Sequence, residues 1–168
     1  MTLISTEWLN NNLEKVKIFD ATWHMPNVNR NAYKEYLHNH IPNAMFWDLD
    51  EHSDKDCLFP HMLPNSDYWT RMLWSFGIEN DDHIVVYDFS DVHSACRLWF
   101  SLKYFGHKKV SVMDGGYSKW LREKRITSKE INKDIGKFSY IDKINSQKKY
   151  KVNENFNWIK KKNKLMII

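Results

Sequence analysis

"VVYDFSDVHSACRLWF", residues 85–100, reads as a buried strand, a short polar loop and a helix. That shape presents a nucleophile or an anion site at the top of an α/β sheet, where backbone N–H groups meet a helix N-terminus. The run "HIVVYD" (83–88) supplies the strand, and Ala95, Leu98, Trp99, Leu102 and Phe105 form a helical apolar stripe ended by Gly106. The stretch also contains Cys96, one of two cysteines in the chain. What the loop does depends on whether a thiol stands at its mouth.

The same alternation continues on either side. A helical segment, "STEWLNNNL", precedes the strand "VKIFDA" (16–21). "AYKEYLHNH" (32–40) is a short helix closed by Ile41-Pro42, because the residue before proline avoids the helical region. "AMFWDLD" (44–50) is a strand and its exit. In residues 66–76, Trp69, Met72, Leu73 and Phe76 fall at i, i+3, i+4 and i+7, with Asn65 or Ser66 to cap the helix and Gly77 to stop it. "KVSVMDGG" is a strand and tight turn, and "YSKWLRE" a closing helix. Strands separated by helices pair in parallel, so the expected fold is α/β with helices on both faces of the sheet. Four strands are clear; the position of a fifth is not readable from periodicity.

Composition narrows the class. At 42% hydrophobic and 15% aromatic, 168 residues can fill a core of ordinary domain size. Residues 129–168 hold eleven lysines and four acidic residues, a surplus of +7; the whole chain is +4, which leaves −3 for residues 1–128. The basic surplus is thus confined to a tail with no aromatic–arginine stripe, and no nucleic-acid partner is expected. Two cysteines 39 positions apart do not form a secreted disulfide framework. No apolar run approaches the roughly 18 residues that span a bilayer, so neither a membrane partner nor a targeting leader is read, and a cytoplasmic setting is expected.

"VNENFNWIKKKNKLMII" (152–168) echoes "ISTEWLNNNLEKVKIFDATW" (4–23): a small polar residue, an amphipathic segment, a basic residue, then an apolar strand. This imperfect repeat at a period of about 150 residues divides the chain into a domain at 1–128, a basic linker at 129–151, and the truncated start of a second copy at 152–168.

"DATWHMP" (20–26), "HIPNAMFWDLD" (40–50), "FPHMLP" (59–64) and the span 83–121 together resemble, in order and spacing, the N-terminal domain of tandem-domain sulfurtransferases, the rhodanese and 3-mercaptopyruvate sulfurtransferase family. The resemblance covers about residues 3–125 and implies a rhodanese-like, parallel five-stranded sheet. It implies two modules, of which only the second carries a persulfide cysteine at the start of its loop. It further implies an anionic sulfur donor, 3-mercaptopyruvate or thiosulfate, and a thiol or cyanide as acceptor, with no cofactor. Asp50 and His61 match an Asp and a His that face the second module's loop and act there as a relay. Arg30 and Arg97 match recurrent positions, as ion-pair partners or as residues that steer an anionic substrate.

Against that pattern the local residues speak clearly. A nucleophile would stand directly after the strand, at Asp88 or Phe89; Cys96 comes later, inside the helix, and is expected to be a small buried hydrophobe. Cys57 sits in a loop and is expected to be incidental. Six residues after Cys57 is Leu63, and six after Cys96 is Leu102, so neither completes the Cys-x5-Arg of related phosphatases. His40 is expected to satisfy a turn. His38 and His40 with His52 and Cys57 lack a metal-ligand spacing, and no metal site is expected. Gly115-Gly116 is a tight connection without the G-x-G-x-x-G of a dinucleotide site. The chain alone is therefore expected to be inactive: the N-terminal part of a sulfurtransferase or, as the alternative, a non-enzymatic binding or regulatory module or split-gene product.

Overall fold

A computed structural model describes residues 2–131. Within it, β1 (Leu3–Ile4), α1 (Thr6–Asn10), a 3-10 turn (Leu13–Lys15), β2 (Lys17–Asp20), α2 (Ala32–His38), β3 (Ala44–Phe46), α3 (Ser66–Ser75), β4 (Ile84–Tyr87), α4 (Ala95–Tyr104), β5 (Val110–Met113) and α5 (Gly116–Arg122) follow one another. The five strands form one sheet in the order β1-β5-β4-β2-β3. Every pairing is parallel.

β4 lies at the centre and all four of its residues are buried. Its period-2 alternation divides the core. Ile84 and Val86 point into a cluster with Trp69, Leu73, Leu98 and Leu102, contributed by α3 and α4. Val85 and Tyr87 point the other way, towards Leu9, Tyr36, Tyr117 and Trp120 of α1, α2 and α5. Both faces are covered, as a parallel sheet requires.

The helix ends follow their local chemistry. The Asn65 side chain accepts from the Tyr68 N–H at 2.9 Å and caps α3. At the other end Gly77 turns left-handed (φ 66°), and the bonds Gly77 N–H to Trp74 C=O (2.9 Å) and Ile78 N–H to Leu73 C=O (3.1 Å) close the helix. The fifth strand proves to be β1. Its two residues pair with Val112 and Met113 at the edge of the sheet, and two residues are too few to show a period.

His40 is fully buried, bonded through Nδ1 to the Tyr36 carbonyl (2.7 Å) and through Nε2 to the Glu130 carbonyl (3.0 Å). An isolated antiparallel bridge joins it to Ser128. The expected second-copy start at 152–168, and the linker beyond residue 131, lie outside the described residues.

Candidate functional site

The loop between β4 and α4 opens at the C-terminal ends of the strands, where α/β sheets place their sites. Asp88 is the first residue after the strand, and its side chain does not face outward. It is 8% exposed, and Oδ2 accepts from the Ala95 N–H at 2.7 Å. The helix N-terminus that would hold an external anion is thus already occupied by a carboxylate of the chain itself. Burial pushes the Asp88 carboxyl up, against the opposing effect of the N–H bonds from Ala95 and Ser90. The β5–α5 turn presses on the base of the loop. The Tyr117 N–H donates to the Asp88 carbonyl at 2.8 Å, and a Cβ on Gly116 (φ 55°) would come within 2.6 Å of that oxygen.

Beside the loop lies an open cleft of about 570 Å³, lined by Asp88, Asp91, Asp114, Arg30, His93 and Cys96 among others. Of its three carboxylates Asp114 is paired with Lys119 at 2.8 Å, and its one guanidinium is paired with Glu35, so the lining offers an anionic sulfur donor little net attraction. Cys96 corrects the expectation from sequence: the thiol is exposed, not buried. It stands two residues before Leu98, about 200° around the helix, so it falls outside the Ala95–Leu98–Leu102 stripe.

Asp50 and His61 do come together. His61 Nε2 donates to Asp50 Oδ1 at 2.7 Å, and the Trp23 indole N–H donates to Asp50 Oδ2 at 3.0 Å. The Trp23 and His61 rings meet edge to face, 4.9 Å apart and inclined by 80°. The Asp50 side chain is 66% exposed and that of His61 28%, so the pair is open to whatever faces it. His61 holds a left-handed backbone (φ 58°), which costs a non-glycine residue about 1–2 kcal/mol. Arg97 of α4 donates to its carbonyl and helps to fix that turn. Burial pulls the half-buried Arg97 guanidinium down from its ordinary value.

Arg30 is engaged elsewhere. Its Nε and one terminal nitrogen form a bidentate pair with Glu35 (2.8 and 2.7 Å), and its guanidinium lies 4.7 Å above the Phe89 ring. His24 Nε2 meets the same Glu35 carboxylate at 3.1 Å. Burial pushes Glu35 up, but the bonds from Arg30 and His24 outweigh it and hold the carboxyl below its ordinary range. The Arg30 guanidinium still borders the cleft beside the loop. Among the described residues, no three His, Cys, Asp or Glu side chains gather as a metal site; His38 is exposed while His40 is buried.

Beneath these groups sits Asp20, 4% exposed at the end of β2. Its Oδ1 accepts from the N–H and the hydroxyl of Thr22, whose Oγ1 in turn accepts from the Phe89 N–H at 2.9 Å. Burial raises the Asp20 carboxyl to about 6, with neighbouring Asp88 adding to the rise and the Thr22 bonds opposing it. Trp23, Thr22, Ser90 and Ser94 are bonded neighbours of these groups that the sequence does not single out. The available signal was the position of "DATW" directly after a central strand.

The residues from 5 to 123 match the rhodanese-like domain model, and the chain belongs to that family. It is 44% identical over 120 residues to a mitochondrial thiosulfate/3-mercaptopyruvate sulfurtransferase of Arabidopsis thaliana, covering 70% of this chain and 32% of that protein. It is 40% identical over 129 residues to bovine thiosulfate sulfurtransferase, covering 72% and 43%. Among solved structures, the 3-mercaptopyruvate sulfurtransferase SseA of Escherichia coli superposes with a TM-score of 0.84 at 30% identity, over 93% of this chain and 61% of that one. The first-ranked curated relatives are matched over 32–49% of their length. The protein is therefore a rhodanese-like domain homologous to thiosulfate and 3-mercaptopyruvate sulfurtransferases.

Proposed function

We propose that this chain is the non-catalytic half of a tandem-domain sulfurtransferase. It presents the Asp50–His61 pair to the active-site loop of a second rhodanese-like domain, and that domain supplies the cysteine. The overall reaction moves a sulfane sulfur from 3-mercaptopyruvate or thiosulfate to a thiol or cyanide. The cysteine thiolate attacks the donor's sulfur, the bond from that sulfur to the rest of the donor breaks, and the electron pair leaves with the fragment. With mercaptopyruvate the fragment is the enolate of pyruvate, which needs a proton. An imidazole held by a carboxylate is suited to deliver or relay one. That match of chemistry to geometry favours mercaptopyruvate as donor. Of the two readings of Arg30, its bidentate pair with Glu35 supports the ion-pair partner, and Arg97 acts through His61.

The observation that carries this reading is the 2.7 Å bond between His61 and Asp50 on an exposed face, next to a loop whose helix N-terminus is filled by Asp88 rather than a thiol. The test is turnover. The chain alone is expected to release neither pyruvate from mercaptopyruvate nor thiocyanate from thiosulfate and cyanide. Joined to the C-terminal domain of a homologous tandem enzyme, it is expected to turn over mercaptopyruvate, and His61→Ala is expected to lower kcat/KM by about a hundredfold or more. Turnover by the chain alone that vanishes in Cys96→Ser contradicts the reading, as does an unchanged kcat/KM in His61→Ala.

A further inference from the structure

The thiol-free loop is itself tied to the Asp50–His61 pair from two sides. Trp23, which donates to Asp50 and lies edge-on to His61, is anchored through its own backbone. Its N–H donates to Ser94 Oγ at 3.1 Å, and its carbonyl accepts from the Ser90 hydroxyl. Ser94 is 6% exposed, and its hydroxyl donates onward to the Ala21 carbonyl at 2.6 Å, so its position is set on both sides. From the next turn of the same strand–loop–helix unit, Arg97 donates to the His61 carbonyl. Ser90, Ser94 and Arg97 thus hold both ends of a path that runs Ser90/Ser94–Trp23–Asp50–His61–Arg97.

We infer that Trp23 is a positioning residue of the Asp50–His61 pair, and that the 88–94 loop, in place of holding sulfur, braces Trp23. The inference rests on the reading of the pair given above. A carboxylate only accepts, so the bond at His61 Nε2 is a donated N–H. The ring's remaining nitrogen, Nδ1, is then the basic atom left to exchange a proton with a group facing this surface. The carboxylate has two oxygens and could rotate away from His61. The Trp23 N–H on Oδ2 opposes that rotation, and the edge-to-face contact limits the plane of the imidazole. A histidine fixed in tautomer and plane is what proton transfer across a domain seam needs.

The test uses the chain isotopically labelled at its histidine and tryptophan nitrogens and follows N–H exchange with water by NMR. Trp23→Phe keeps a ring beside His61 and removes only the donor. Exchange of the His61 Nε2 proton is expected to speed up about tenfold, as for a lost hydrogen bond, while the His24 ring, paired with Glu35, stays as in wild type. Ser90→Ala combined with Ser94→Ala keeps Trp23 and is expected to accelerate the same proton, which a mere packing role for the indole would not do. Asp50→Ala, a change at an exposed side chain, reads the contact from the other end: the Trp23 indole proton is expected to lose its protection. Unchanged His61 exchange in the serine double variant, or an indole proton still protected in Asp50→Ala, overturns the inference. None of these readouts depends on sulfur transfer. Failure of the proton relay in the joined enzyme with these signals as expected would refute the functional proposal and leave the brace standing.

Discussion

Two histidine–carboxylate pairs meet the short segment after β2, one through His24 and the other through Trp23, and they are built in opposite ways. His24 meets Glu35 with its side chain 7% exposed, and the carboxylate is shared with a bidentate Arg30. His61 meets Asp50 on the surface, with only a Trp23 indole on the second oxygen. The first pair is closed: both Glu35 oxygens accept from the chain and the charges compensate locally. The second leaves a ring nitrogen and a carboxylate edge free to meet another molecule. Composition cannot distinguish them, since each is one imidazole and one carboxylate. Burial and the third partner decide which is structure and which is available for chemistry.

The largest effect that bears on this contrast belongs to Asp20, which through Thr22 holds the segment that carries Trp23 and His24. Its carboxyl is raised to about 6 from 3.8, so the folded state binds that proton more tightly than the unfolded state. Its contribution is fully present below about pH 4 and is lost as the pH rises through about 6, up to about 3 kcal/mol at 1.36 kcal/mol per unit. Asp20→Asn is expected to remove that dependence. The stability difference between variant and wild type, followed by urea unfolding, should shift in the variant's favour by up to that amount between about pH 4 and pH 7. A constant difference across the range would refute the buried, protonatable Asp20.

Glu35→Ala comes next, because it strands Arg30 and the buried His24 without their acceptor. The expected loss is about 2 kcal/mol in urea unfolding. The lowered Glu35 carboxyl works in the opposite sense to Asp20: its contribution is present above the ordinary glutamate value and is lost as pH falls through the lower folded value. Asp88→Ala, which uncaps α4, should cost about 1 kcal/mol. Asp50→Ala is the smallest, within about 0.5 kcal/mol of wild type. If Asp50→Ala destabilises as much as Glu35→Ala does, the open pair is structural and the contrast collapses.

Much of the architecture was legible in the residues. Ile84 to Tyr87 read as a buried strand because the run is apolar without a break, and Trp69, Met72 and Leu73 read as one helix face because their spacing matches its turn. β1 was not legible, because two residues carry no period. At the site, Asp50 and His61 were picked out only through resemblance to relatives; nothing in their own spacing, eleven residues apart in an irregular loop, brings them together. Trp23 and Ser94 were missed for a related reason. Their bond joins a backbone N–H to a hydroxyl across 71 positions, and sequence periodicity reports side-chain faces, not contacts of that kind. Cys96 was misjudged by its neighbours in sequence, although its angle around α4 already placed it outside the apolar stripe.

The most direct test of the whole account is the mass of this chain after incubation with excess thiosulfate or 3-mercaptopyruvate and removal of the donor. The account predicts an unchanged mass, because Asp88 occupies the helix N-terminus where a sulfur-bearing thiol would be stabilised. One added sulfur atom on Cys96 in stoichiometric yield, and its release to cyanide as thiocyanate, would contradict it.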